Sequence, residues 1–74
     1  MIMKGKSWPE GKNVSRATWD PQTQEMTVYY QNGVYVYSDV DQDTWDQVAA
    51  AESGGKIMRA IIIGNFNEEK ISDG

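Results

Sequence analysis

The chemically reactive side chains of this 74-residue sequence are carboxylates, hydroxyls and amines, because it contains neither histidine nor cysteine. Histidine is the usual general base and the commonest metal ligand, and disulfides and thiolate metal sites require cysteine. Ser53 and Lys56 have the Ser-x-x-Lys spacing of one class of acyl-transfer enzyme. A chain this short can hardly build the cleft that such enzymes need. We therefore expect no catalysis and no cofactor, and we interpret Ser53 as a helix cap.

The segment Gly54-Gly55-Lys56, with Arg59 one helical turn later, has residues that could bind phosphate. Backbone N–H groups at the start of a helix attract anions, and Lys56 and Arg59 would add positive charge. The segment is not a P-loop, since Ala50 stands where the first glycine is needed and Ile57 replaces the serine or threonine. We expect either an ordinary helix–helix turn or a modest site for a nucleotide or RNA phosphate.

Two aromatic residues are candidates for contacts with a ligand or partner. Tyr29 falls on the less apolar face of a predicted hairpin, where its ring could stack on a base. Trp8 lies in a basic N-terminal segment, residues 1–13, that contains Pro9 and two glycines, and we predict this segment to be loosely ordered. We therefore expect Trp8 to be unburied and suited to anchoring a protein partner.

The carboxylates are concentrated in the middle of a chain whose net charge is −4. No lysine or arginine occurs between Asp20 and Glu52, and the densest acidic cluster comprises Asp39, Asp41, Asp43 and Asp46. Its Asp-x-Asp-x-Asp spacing resembles the start of a calcium loop, but Thr44 and Ala50 stand where glycine and glutamate are required. One interpretation is that these carboxylates cap a helix and keep the protein soluble. The other is that they form an acidic surface that docks a basic protein partner.

The clearest of the predicted elements that must position these residues is a β-hairpin. Asn32-Gly33 separates two β-rich runs within residues 26–38, the strongest short hairpin signal. A two-residue Asn-Gly loop pairs Tyr30 with Tyr35 and Val28 with Tyr37. The predicted core face then carries Met26, Val28, Tyr30, Tyr35 and Tyr37.

Helical signals follow the hairpin. Asp41 is the preferred N-cap of a helix over residues 44–51, in which Trp45, Val48 and Ala49 share one face. Residues 56–66 are ambiguous, because their apolar residues fit both a helical stripe and a buried strand. An earlier run, residues 14–19, is predicted to be a short strand.

Several of these residues together resemble the KTSC domain, which occurs at the C-terminus of some bacterial lysyl-tRNA synthetases and alone in short bacterial and phage proteins. The resemblance covers about residues 14–71 and is carried mainly by Gly33-x-Tyr35-x-Tyr37 and Ser53-x-Gly55. Trp19 and Met58 depart from the usual tyrosine and isoleucine. The resemblance implies a hairpin-based sheet packed by two helices, which favours a helix for residues 56–65. RNA binding has been suggested for the family, without an established activity.

These observations predict one α+β domain over residues 14–71, with a three-stranded antiparallel sheet packed against two helices and a short tail at residues 72–74. We expect a non-catalytic module that binds or inhibits a protein partner, and the family's occurrence suggests a phage protein acting on a host component. The alternative is a nucleotide- or RNA-binding module. We expect a soluble cytoplasmic protein without membrane contact. A homodimer would cover the sheet edges and supplement the small core.

Overall fold

The computed structural model describes residues 3–73, so Met1, Ile2 and Gly74 of the predicted terminal segments lie outside it. It contains five strands and two helices, the second of which continues directly into a π-helical segment. In chain order these are β1 (Lys4–Ser7), β2 (Val14–Asp20), β3 (Glu25–Tyr30), β4 (Gly33–Tyr37), α1 (Gln42–Ala50), α2 (Gly54–Ile57) with its π-helical continuation (Met58–Ile62), and β5 (Glu68–Ser72). Within residues 3–73, neither helix has the length and hydrophobicity needed to cross a bilayer.

The strands form one antiparallel sheet in the order β1-β2-β3-β4-β5, and the helices pack on one face of it. The α+β class is confirmed, whereas the prediction of three strands is wrong. The two missed strands are the sheet's edges, and their side chains are almost all exposed. An exposed edge strand needs no alternation of apolar and polar residues, so its sequence carries no strand signal.

The hairpin is present, but its loop is Gln31-Asn32 rather than Asn32-Gly33. Tyr30 pairs with Gly33 and Val28 pairs with Tyr35, a register two residues away from the predicted one. Because side chains alternate with a period of two, a two-residue shift leaves every side chain on its original face. The prediction of the core face is therefore confirmed, because Met26, Val28 and Tyr37 are buried and Tyr30 and Tyr35 are half-buried.

The need for glycine at position 33 is explained by the close approach of the edge strand β5. Its φ of +154° is a conformation that side chains rarely adopt. A Cβ added to Gly33 would lie 2.7 Å from the Ser72 carbonyl oxygen and 2.7 Å from Lys70 Cε. Any other residue there would push β5 away from β4, so this glycine serves strand packing rather than an Asn-Gly turn.

The predicted loose order of residues 1–13 is wrong for residues 4–8. Lys4–Ser7 pair with β2, from Lys4 opposite Trp19 to Ser7 opposite Arg16. Trp8 is 5% exposed and belongs to the hydrophobic core. The physical reason is that β2 supplies backbone partners to a segment that has no apolar alternation of its own. At the other terminus, Ser72 of the predicted tail is the last residue of β5.

The helix signals correspond closely to the structure. Asp41 caps α1, since its carboxylate accepts a hydrogen bond from the Thr44 N–H at 2.9 Å, and Trp45 and Val48 are buried as predicted. The ambiguous stretch after residue 56 is helical through Ile62. Ser53 caps α2 by accepting a hydrogen bond from the Lys56 N–H at 3.3 Å.

Tryptophan side chains join the sheet to the helices. The rings of Trp19 on β2 and Trp45 on α1 stack with centroids 6.0 Å apart, and Trp19 Nε1 donates to the Val40 carbonyl at 2.7 Å. Trp8 Nε1 donates to the Ala51 carbonyl at 3.0 Å, just beyond the end of α1. These bonds satisfy the indole N–H groups on burial and fix both ends of α1 relative to the sheet.

Candidate functional site

A groove of about 520 Å³ lies where β1, the loop after it and the start of α2 meet. Four of the seven lysines and arginines of the chain line this groove, together with the carboxylates Glu10 and Glu52. We call it the basic groove, and its cationic residues are Lys6, Lys12, Lys56 and Arg59. The structure therefore adds two cations from the N-terminal region to the predicted pair, Lys56 and Arg59.

The four cations of the basic groove have no ion-pair partner within the described part of the chain. Among residues 3–73 one salt bridge is present, between Lys70 Nζ and Asp73 Oδ1 at 3.0 Å, and it lies outside the groove. Like charges that share a concave surface repel one another, and the field they create attracts an anion. The groove carries two more cations than carboxylates, so its net positive charge would attract an anionic ligand.

Trp8 forms part of the groove wall and holds its two sides together. Its backbone N–H donates to the Ser15 carbonyl at 2.8 Å, and its indole N–H reaches Ala51. The expectation that Trp8 is an exposed protein anchor is wrong, because its ring is buried against Gly54 and Val14 in the core. It acts instead as a positioning residue that fastens the β1–β2 loop to the start of α2.

The two predicted phosphate-site glycines differ in their surroundings. Gly54 is buried, and a Cβ added there would lie 2.8 Å from the Trp8 ring, so close packing explains this glycine. Gly55 is half-buried, and an added Cβ would meet Asn13 Nδ2 at 3.6 Å and Arg59 Nη1 at 3.7 Å, which are ordinary contacts. Gly55, Lys56 and Arg59 thus all line the groove.

Tyr29 is not part of this site. Its neighbours Val28 and Tyr30 face the helices, so strand alternation places Tyr29 on the opposite, helix-free face of the sheet. There its ring lies under the guanidinium of Arg16, with Cζ 4.6 Å from the ring centroid. The sequence-based grouping of Tyr29 with Lys56 and Arg59 in one ligand site is therefore wrong.

The predicted acidic surface is present around the start of α1, and we call it the acidic patch (Asp39, Asp41, Asp43 and Asp46). All four residues are exposed. Hydrogen bonds from the side chain and backbone of Thr44 hold the pKa of the Asp41 carboxyl below its ordinary value. Asp46 Oδ1 accepts from Gln42 Nε2 at 2.9 Å, and Asp39 adopts a positive φ of 59°. Across residues 3–73 no group of three or more acidic side chains is arranged to hold a metal ion.

A second concavity, which we call the side hollow, adjoins the basic groove and has a volume of about 360 Å³. It shares Asn13, Gly55 and Arg59 with the groove. Its remaining lining residues are Val14, Tyr30, Gln31, Asn32 and Ile63. Sequence reasoning missed this hollow because its residues come from three separate segments, and no spacing motif connects them.

Three side chains form a hydrogen-bonded chain on the helix side of the sheet, away from the groove. The hydroxyls of Tyr30 and Tyr37 lie 2.6 Å apart, and Tyr37 donates to Glu68 Oε1 at 2.8 Å. Burial raises the pKa of both phenols above the ordinary tyrosine value, so both stay protonated at neutral pH. These hydrogen bonds connect β5 to β3 and β4. Tyr37, the second tyrosine of the Tyr-x-Tyr motif, therefore has a structural role.

Comparisons with known proteins agree with this architecture. The crystal structure of a KTSC domain protein from Yersinia pestis is similar to this chain, with a TM-score of 0.83 and 21% sequence identity. The similarity covers 95% of this chain and 99% of that one, and at such identity it shows the fold alone. A comparison with curated proteins gave no match. The sequence profile of the KTSC domain matches residues 10–66, more than half of the chain, and the chain therefore belongs to the KTSC domain family.

Proposed function

We propose that this chain is a non-catalytic binding module that holds a phosphate-bearing ligand, a nucleotide or a single-stranded RNA, in the basic groove. The observation that carries the proposal is the convergence of four cations and only two carboxylates in one groove of a chain with net charge −4, with no ion pair to these cations among residues 3–73. Most other ionisable groups of this chain are carboxylates, so the groove is a local exception to an acidic surface. A surface of this kind favours a small or single-stranded anion over long duplex nucleic acid.

The size and layout of the groove favour a ligand larger than inorganic phosphate. About 520 Å³ falls within the usual range of small-molecule sites. Lys6 and Lys12 belong to β1 and the loop after it, whereas Lys56 and Arg59 belong to the helical segment. A ligand with several phosphates could engage both sides of the groove, and the arginine adds a planar fork of donors that suits phosphate oxygens.

The absence of catalysis is part of the proposal. The sequence has no histidine or cysteine, and the Ser-x-x-Lys pair lines the groove. Ser53 Oγ accepts a hydrogen bond from the Lys56 backbone N–H, which is a capping interaction rather than the hydroxyl–amine pair that a nucleophile would need. The groove residues therefore bind and orient a ligand without a group placed to transform it.

The test is the affinity for a fluorescently labelled ten-nucleotide single-stranded RNA, measured by anisotropy at low salt, with ATP as a competitor. The double variant Lys56→Glu/Arg59→Glu should weaken RNA binding at least tenfold, and wild-type affinity should fall as salt rises. The matched control, Lys4→Glu/Arg16→Glu, changes the net charge equally at two exposed positions outside the groove and should change affinity less than threefold.

Equal losses in the two double variants would show non-specific attraction and contradict a groove site. No wild-type binding to the RNA or to ATP would contradict the proposal as a whole. Circular dichroism of each variant establishes that its fold is intact. Competition by ATP at concentrations comparable to those of RNA would identify the ligand as a small nucleotide, and competition only by longer oligonucleotides would identify it as RNA.

A protein partner bound by the acidic patch is the second candidate, favoured by one specific observation. Asp39, Asp43 and Asp46 are exposed, and no described cation lies within 4 Å of any of them. If a basic protein surface docks there, the triple Asp→Asn variant should weaken the complex and slow its association, as electrostatic steering requires. Unchanged binding of a captured partner by the folded triple variant would contradict this candidate.

A further inference from the structure

We infer that the side hollow binds a nucleobase, so that one nucleotide spans the hollow and the basic groove with its phosphate beside Arg59. This inference rests on the proposed function and specifies its ligand as one recognised through its base as well as its charge. It depends on three features of the side hollow: its connection to the groove, its unpaired amides, and its exposed apolar wall.

The two concavities adjoin at three shared lining residues. Asn13, Gly55 and Arg59 line both of them. The Asn13 amide and the Arg59 guanidinium flank Gly55, since both lie within 3.7 Å of the position that its Cβ would occupy. With no side chain on Gly55, a ligand whose phosphate contacts Arg59 can extend its adjoining group into the side hollow.

Apart from Arg59, which the side hollow shares with the groove, no charged side chain of the described residues lines the hollow, and three neutral amides do. Asn13, Gln31 and Asn32 lie around it, and within residues 3–73 none of their side chains has a hydrogen-bond partner. The Gln31 backbone N–H donates to the Asn13 carbonyl at 2.8 Å, which holds the two loops together as adjacent walls. A primary amide carries both donors and an acceptor, the combination that pairs with the edge of a base.

The apolar wall of the side hollow offers a surface to the face of a base. Tyr30 is half-buried there, and Ile63 is 46% exposed although it is a large aliphatic residue. Bases stack on aromatic and apolar side chains, and this stacking strengthens single-strand binding largely independently of the base sequence. A ligand made only of phosphates would leave both the apolar wall and the amides without a partner.

The experiment compares two labelled oligomers of equal length and charge, a six-nucleotide RNA and the same ribose-phosphate chain without bases. The wild type should bind the RNA at least fivefold more tightly than the abasic oligomer. Asn32→Ala/Ile63→Ala should bring this ratio close to one and leave abasic binding unchanged. The matched control, Asn67→Ala/Ile71→Ala, makes the same chemical changes outside the hollow and should keep the wild-type ratio.

A second variant keeps the test independent of the first. Gly55→Leu places a side chain in the passage between groove and hollow, at a helical position where leucine is a good former, so folding should be preserved. It should lower the RNA affinity toward that of the abasic oligomer. Equal wild-type binding of the two oligomers would overturn the inference and leave the groove site standing. Loss of both ligands in the folded Asn32→Ala/Ile63→Ala variant would also overturn it. If the wild type binds neither oligomer, both proposals fail.

Discussion

The basic groove and the acidic patch lie near opposite ends of α1, and they arise from the sequence in opposite ways. The acidic residues lie within eight consecutive positions, and local structure already uses two of them, since Asp41 caps α1 and Asp46 bonds to Gln42. The groove cations come from three separate segments, and no ion pair within the described chain uses any of them. Two of the four patch carboxylates thus stabilise α1 directly, whereas the groove cations are brought together without such a bond, and for this reason we propose a ligand for the groove first.

The largest expected effect is on the free energy of unfolding, because a buried side chain supports the groove whereas the patch residues are exposed. Trp8→Ala removes a buried indole that joins β1 to the end of α1, and should lower the free energy of unfolding by about 3–5 kcal/mol. Asp43→Ala, on the exposed patch, should change it by about 0.5 kcal/mol or less. Urea denaturation followed by fluorescence measures both. A stable, cooperatively folding Trp8→Ala variant would contradict the placement of Trp8 in the core.

The next prediction is that alanine substitutions at two adjacent glycines of the groove change stability differently. Gly54→Ala should destabilise the fold by about 1–3 kcal/mol, since its Cβ would lie 2.8 Å from the Trp8 ring. Gly55→Ala should be neutral or stabilise the fold by up to about 1 kcal/mol, because alanine favours the helix and its Cβ makes ordinary contacts. Thermal denaturation of both variants provides the comparison. Equal destabilisation by the two substitutions would contradict the described packing of Trp8.

The smallest effect concerns the patch and depends on pH. The pKa of Asp41 is lowered in the folded chain, so its carboxylate stabilises the fold above the unfolded-state pKa, and this contribution is lost as pH falls through the folded value. Asp41→Ala should therefore be less stable than wild type at pH 7, and the difference should shrink on acidification to about pH 2.5. Urea titrations at both pH values measure it. A difference that is independent of pH would contradict the charged cap.

Local features of the fold could be predicted from the sequence, and features made by distant pairings could not. The Asp41 cap and the apolar face of the hairpin depend on residues a few positions apart, and both are present. The hairpin register differs from the predicted one around Gly33, which lies against β5, more than thirty residues later in the chain. The edge strands β1 and β5 lack apolar alternation because neither buries a face.

In the candidate site, too, residues close in sequence could be predicted and those joined by distant pairings could not. Lys56 and Arg59 could be found from their spacing after the glycines, because one helical segment carries them. Lys6 and Lys12 join them only through the pairing of β1 with β2 and the burial of Trp8, for which the sequence has no periodic signal. For Tyr29 the sequence predicts the strand face correctly, but it carries no signal that the groove lies on the other side of the sheet. The side hollow is formed by residues 13–14, residues 30–32 and the helical segment through Ile63, three segments that only the folded chain brings together.

The most direct test of the groove as the binding site is a two-dimensional NMR titration of the ¹⁵N-labelled protein with a short single-stranded RNA. The account predicts that the amide signals of Lys12, Gly55, Lys56 and Arg59 shift progressively, while those of Asp39, Asp43 and Asp46 stay in place. Shifts confined to the acidic patch, or no shifts at millimolar RNA, would contradict the claim that the unpaired cations form the binding site.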